Sequence, residues 1–286
     1  MMNSNEGRKN VQQNCSVALL TGSASGLGQK LTRDFLARGY TVIATDINSA
    51  GLDESFGKCA ELTSGKLLLK TLDVSQSQAW EALFADVLQQ FSRLDVILNV
   101  AGYLKPGNLC DASSEEVHRH MDINVKGVIF GSQLAGAQMR KQGYGHIINI
   151  ASLAGLAAVP GIGLYSASKF AVRAFSLSLA QELKSSGVAV TVICPDAIQT
   201  PMLTLQEDYE EAALTFSGNK SLTVDEVANA IFNEVLVHRP MELILPRYRG
   251  WLAKVGNLVP QSSFILANIL RKKGLQEQKR RKGLRH

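Results

Sequence analysis

A series of short, largely apolar runs recurs along this chain, and nearly every one is followed by a longer stretch with helical spacing. The runs are Val17–Thr21, Thr41–Asp46, Lys66–Val74, Asp95–Gly102, His146–Ser152 and Val188–Cys194, with a last one at Met241–Pro246. A strand that is apolar on both sides of its pleat must be covered on both faces. The covering segments are legible between the runs: about 26–38, about 76–91, 113–141 and 164–185. In the first of these, Leu27, Leu31, Phe35 and Leu36 share one helical face. The alternation predicts a doubly wound α/β fold, with a mostly parallel sheet of about seven strands and helices on both faces. Each crossover should be right-handed. No linker and no fixed-period repeat interrupts residues 15–246, which predicts a single domain there. Apolar residues make up 45% of the chain, enough for a large core and too many for a disordered one.

Between the first strand and the first helix stands TGSASGLG, from Thr21 through Gly22, Ser25, Gly26 and Leu27 to Gly28. At that point of a β-α unit, backbone N–H groups and the positive end of the helix can hold a pyrophosphate. Gly22 would permit the tight turn, Gly26 the approach of phosphate to backbone, and Gly28 the packing of helix on strand. Eighteen residues after Gly28, the second strand ends in Asp46. A carboxylate there can accept hydrogen bonds from ribose hydroxyls and would repel a 2′-phosphate, which predicts NAD in preference to NADP. The competing reading of Asp46 is a turn or helix-cap residue.

These residues resemble the TGxxxGxG motif of the short-chain dehydrogenase/reductase family, and further motifs follow in the family's order. Asp73 and Val74 resemble the pair that contacts adenine. Asn99, Ala101 and Gly102 fall in NVAG, similar to the family's NNAG strand end. Asn124 falls at the family's helix asparagine, Ser152 ends the fifth strand, and YSASK places Tyr165 and Lys169 in the YxxxK pattern. The segment CPDAIQTPM resembles the family's Pro-Gly-x-Ile-x-Thr. The resemblance implies that Pro195, Ile198 and Thr200 contact the nicotinamide end of the cofactor, with the Ile198 backbone and Thr200 hydroxyl on its carboxamide. Two positions depart from the pattern: Val100 replaces an asparagine, and Asp196 replaces a glycine.

The resemblance implies hydride transfer between nicotinamide and a secondary alcohol or ketone. A phenol with its usual pKa of about 10 is a poor base near neutrality. Lys169, four residues on, would share its helix face and lower that value. Tyr165 is then the acid in reduction and the base in oxidation, and Ser152 polarises the substrate oxygen. By resemblance, Lys169 also holds the nicotinamide ribose, and Asn124 holds a water that links Lys169 to solvent. Leu153, Leu156, Val159, Ile162, Met202 and Leu203 are candidate substrate walls, with a mobile helical lid over 201–220. Apolar walls predict a lipid-like or steroid-like substrate; packing against neighbouring helices is the other reading of these residues. Two rival functions stand: an NADPH-dependent 3-oxoacyl reductase-like enzyme, and a non-enzymatic dinucleotide-binding scaffold. A scaffold would commonly have lost the Tyr or the Lys, and both are present here.

The remaining features bound the setting. The four cysteines, at 15, 59, 110 and 194, lie far apart, so zinc-ligand and CxxC spacings are absent and no metal is expected. Free thiols suit a reducing, cytoplasmic compartment. Residues 1–14 are polar, without the apolar core of a secretory signal, and read as a tail. No run reaches 18 apolar residues, so no transmembrane helix is expected. The net charge of +5 is concentrated at one end: from Arg271 onward there are eight Lys/Arg and one acid, Glu277. Within this 247–286 extension, Ser262–Lys272 reads as an amphipathic helix with Phe264, Ile265, Ile269 and Leu266 on one side. Three readings compete for it: contact with the inner membrane surface, packing on its own or a partner subunit, and a solvated tail. The basic residues lack the interleaved aromatics of a nucleic-acid site. By resemblance, the chain forms a homodimer or homotetramer through the helices at 113–141 and 164–185.

Overall fold

The computed structural model describes residues 15–218, 220–258 and 260–283, the side chains of 258–267 excepted. The sequence-read tail at 1–14 therefore lies outside the described residues, as do the side chains of Phe264, Ile265 and Leu266.

Strand β1 (Val17–Thr21) leads through the glycine loop to α1 (Gly26–Ala37). Then come β2 (Thr41–Asp46), α2 (Ser49–Phe56), β3 (Leu67–Thr71), α3 (Ser77–Phe91) and β4 (Val96–Asn99). Helix α4 (Ser114–Met121) runs through a π turn, Asp122–Lys126, into α5 (Gly127–Gln142). Next are β5 (Gly145–Ile150), α6 (Gly163–Leu183) and β6 (Val188–Pro195). The segment read as a lid forms α7 (Pro201–Gln206) and a 3-10 helix, Glu210–Ser217. Helix α8 (Val224–Ala230) continues through a second π turn, and β7 (Glu242–Leu245) follows. The extension forms α9 (Arg247–Leu258) and α10 (Pro260–Gly283).

All seven strands are parallel, in the order β3-β2-β1-β4-β5-β6-β7. The strand-order reversal between β1 and β4 opens a crevice at the carboxyl ends of the strands, where such sheets bind ligands. The pleat divides β1 between two cores. Ala18 and Leu20 pack with α1, α2 and α8, through Leu31, Phe35, Leu52 and Val227. Val17 and Leu19 pack on the other face with α3, α5 and α6, through Trp80, Met139 and Leu183.

At the crevice the two central strands are tied by one side chain. The buried Thr21 hydroxyl oxygen accepts hydrogen bonds from the backbone N–H of Val100 and of Ala101, each at 3.0 Å. Those amides leave the ladder, so β4 ends at Asn99 and not at Gly102 as the apolar run suggested. Replacing Thr21 with Val keeps the shape but leaves two N–H groups without an acceptor. Thr21→Val should cost about 2 kcal/mol or more of unfolding free energy, checked by the shift of its urea midpoint.

Candidate functional site

The glycine loop is shaped by backbone demands. Gly22 has φ of +69°, a left-handed conformation that side chains rarely adopt, and a Cβ there would sit 2.9 Å from Ala101 Cα. A Cβ on Gly28 would overlap the Gly22 carbonyl oxygen, so α1 starts directly against the turn. Ser25 caps α1 without a side-chain hydrogen bond, and the first turn carries no acid. The amino end of α1 therefore presents free N–H groups and a positive dipole.

A cavity of about 1340 Å³ extends from this loop across the ends of the strands. Gly22, Ser25, Gly26, Leu27 and Gly28 line it, with Asp46, Asp73 and Val74 at the same end. The Asp46 carboxylate is pinned by two amides, Ala24 N–H at 3.0 Å and Asn48 N–H at 2.9 Å. It thus holds a turn and faces the cavity at once; the helix cap beside it is Asn48, which accepts from Gly51 N–H. Asp73 Oδ1 accepts from the Ser75 amide and hydroxyl at 2.9 and 2.7 Å. Ala101, Gly102, Pro195, Ile198 and Thr200 line the middle. A Cβ on Gly26 would stand 3.1 Å from Thr200 Cγ2, so the glycine loop and the 196–200 segment close on each other.

Ser152, Tyr165 and Lys169 meet in this cavity from the end of β5 and from α6. Lys169 is buried; its ammonium donates to the Ile150 carbonyl at 2.8 Å and lies 5.5 Å from the Tyr165 ring centre. Burial drives its pKa down to about 8. Burial also drives the Tyr165 phenol up to about 12, the adjacent Ser152 hydroxyl only partly opposing it. Tyr165 was expected to be depressed by Lys169. In the free protein desolvation outweighs the Ser152 hydroxyl, and the phenol is a neutral proton donor.

Four residues read as site residues stand behind the cavity wall. Thr21 is occupied with the two amides already described. Asn99 is buried and donates to Asn149 Oδ1 at 2.8 Å and Ser132 Oγ at 3.2 Å. Leu156 is buried among Val128, Val172, Val192 and Cys194. Asn124 sits in the π turn, where its side chain binds the fold: it accepts from Tyr103 N–H at 2.6 Å and donates to Tyr103 O and Ser168 Oγ. This clamps the loop after β4 onto α6, placing Gly102 beside Lys169.

The remaining wall is mostly apolar, with Arg119, Gln206, Thr215 and Arg249 among its polar members. Leu104, Ala154, Ile162 and Ala212 form a buried cluster with Val159, Tyr165, Met202 and Tyr209 against it. Leu153 and Leu203 also line the cavity. The sequence reading missed the far wall, made by Tyr248, Arg249, Leu252 and Ala253 of α9 and by Leu270 of α10. Arg249 pairs with Asp196, the residue that departs from the family's glycine. Asp196 lacks a positive φ, so its backbone does not need glycine. Burial raises the Asp196 pKa while Arg249 opposes it.

The extension also grips the 201–217 segment. A Cβ on Gly274 would overlap the Ala213 carbonyl oxygen, and buried Gln278 donates to Gln206 O and Tyr209 O at 3.1 and 2.9 Å. Arg281 donates to Ser221 Oγ at 2.9 Å and lies 3.6 Å from Glu207. Of the three readings of the tail, packing on its own subunit describes this half of α10.

The short chain dehydrogenase family model matches residues 16–211. The chain belongs to that family. It is 38% identical over 201 residues to a 3-alpha-(or 20-beta)-hydroxysteroid dehydrogenase of Mycobacterium tuberculosis, covering 69% of this chain and 75% of that protein. It is 36% identical over 200 residues to the 3-oxoacyl-[acyl-carrier-protein] reductase FabG of Thermotoga maritima, covering 70% and 81%. A short chain dehydrogenase/reductase from Burkholderia phymatum, solved in complex with NAD, shares the fold. Its TM-score is 0.77 at 22% identity, over 88% of this chain and 96% of that one. Family membership makes the chain an NAD(P)-dependent oxidoreductase acting on CH–OH groups.

The lysine carries a pH signature. A folded pKa of about 8 means that Lys169 is charged below that value and neutral above it. The kcat/KM for reduced dinucleotide, which reports the free protein, should therefore fall as pH rises through about 8. A Lys169→Met variant should lack that limb in the same steady-state profile.

Proposed function

We propose that this chain interconverts a hydrophobic secondary alcohol and its ketone, using NAD in preference to NADP. The observation that carries this reading is the meeting of Ser152, Tyr165 and Lys169 in one apolar-walled cavity that also holds Asp46 at its far end. The glycine cradle and the bare amino end of α1 fit a dinucleotide pyrophosphate. Bound there, a nicotinamide would accept or give the hydride. Asp46 would take the ribose hydroxyls. Ser152 would orient the substrate oxygen, and Tyr165 Oη would give it a proton in reduction and take one in oxidation. Lys169 would lie beside the phenol and hold positive charge there. The hydroxysteroid dehydrogenase relative supports an apolar substrate.

The FabG relative favours a second reading, reduction of a 3-oxoacyl substrate with NADPH. The dinucleotide preference separates the two. The proposed reading expects a higher kcat/KM with NADH than with NADPH, and a shift toward NADPH in Asp46→Ala. A strong NADPH preference in the unaltered protein would overturn it. We also infer that the chain works in the cytoplasm as a homodimer or homotetramer, as its free thiols and its family support.

A scaffold without activity would turn over nothing. In an enzyme, Tyr165→Phe removes the only proton carried by the phenol. Its kcat should drop about 100-fold or more, followed by NADH absorbance across a panel of hydrophobic ketones. Equal activity in the variant would refute the role of Tyr165.

A further inference from the structure

The far wall of the cavity is also an exposed apolar surface. Tyr248, Trp251, Leu252 and Val255 recur on α9 at the spacing of a single helix face. That face points outward: Trp251 is 67% exposed, Tyr248 61% and Leu252 58%. The opposite side of α9 is fixed to the body. Arg249 pairs with Asp196, Lys254 with Glu242, and Gly250 lies so close to Ile244 that a Cβ would clash. On α10, Ile269 is 63% exposed, and Arg271, Lys272 and Lys279 are exposed beyond it. The inner side of α10 is held on the 201–217 segment by Gln278 and Gly274. Tyr248, Leu252 and Leu270 belong both to this surface region and to the cavity lining.

We propose that α9 and the outward side of α10 dock on an anionic lipid surface, and that the cavity mouth at Tyr248, Leu252 and Leu270 takes apolar substrate directly from it. Charge decides the occupant. A two-fold contact with a second copy would set the Lys272 and Lys279 stripe near its own image, an arrangement of like charges. An anionic surface complements the same stripe, and an interfacial tryptophan beside apolar residues suits the headgroup boundary. The docking claim is independent of turnover; the entry claim rests on the hydrophobic-substrate reading above.

The test uses the full chain with vesicles of phosphatidylcholine alone or mixed with phosphatidylglycerol. Trp80 is fully buried, so a fluorescence change on mixing reports Trp251. The protein should float with the anionic vesicles, its emission should shift to the blue, and added salt should release it. Lys272→Ala with Lys279→Ala should weaken flotation roughly tenfold or more. Trp251→Glu with Val255→Glu, two positions off the cavity wall, should abolish it. The entry claim is read with a long-chain secondary alcohol dissolved in the vesicles and a short water-soluble one. The Trp251/Val255 variant should lose turnover of the first and keep the second. No flotation, or equal flotation with neutral and anionic vesicles, overturns the docking. So does a fall in oligomer size in the Trp251/Val255 variant with flotation unchanged, which would assign the face to a second copy. Equal loss on both alcohols overturns direct entry. Flotation without turnover of either alcohol leaves docking standing and sinks the substrate reading.

Discussion

Much of this site hangs on one hydroxyl. Thr21 ends the first strand and accepts two amides from the chain leaving the fourth, across the point where the strand order reverses. Parallel strands diverge there, and without a tie the loops at their ends would be free to drift. With it, Gly22 lies against Ala101, α1 begins at a fixed place, and the chain after β4 is steered to Gly102 beside Lys169. Asn124 completes the steering from the other side by holding both backbone groups of Tyr103. Neither side chain lines the cavity, yet both fix what does.

The parts legible in the sequence are those whose cause is local. A fully apolar strand demands cover on both faces, so the doubly wound sheet could be read from the runs alone. A turn at positive φ demands glycine, and two residues four apart on a helix must share a face, so Gly22 and the Tyr165–Lys169 pair were visible. Asp46 at the end of β2 is equally local. Strand ends were less so, because the amides of Val100 and Ala101 are claimed by a residue about eighty positions away. The π turn at Asp122–Lys126 was invisible for another reason: a single turn of five residues is too short to show a period of its own inside a helix.

The far wall escaped the sequence reading altogether. Asp196 looked like a departure from a glycine pattern, and its partner Arg249 stands fifty-three residues later in a segment read chiefly for its charge. The expected depression of Tyr165 failed for a related reason. Spacing shows that a lysine is near, but only packing shows that both groups are buried, and burial acts on each against its charged form.

The grip of Gln278 and Arg281 on the segment after β6 has a practical side. The segment after β6 is anchored by α10, far along the chain from Ser152, Tyr165 and Lys169. A purification tag or fusion partner joined there would pull on the roof of the active site. The same partner joined ahead of β1 would act on a central strand, at the end of the sheet away from the cavity. For this fold, the choice of where to attach a partner is a choice about the cavity's roof.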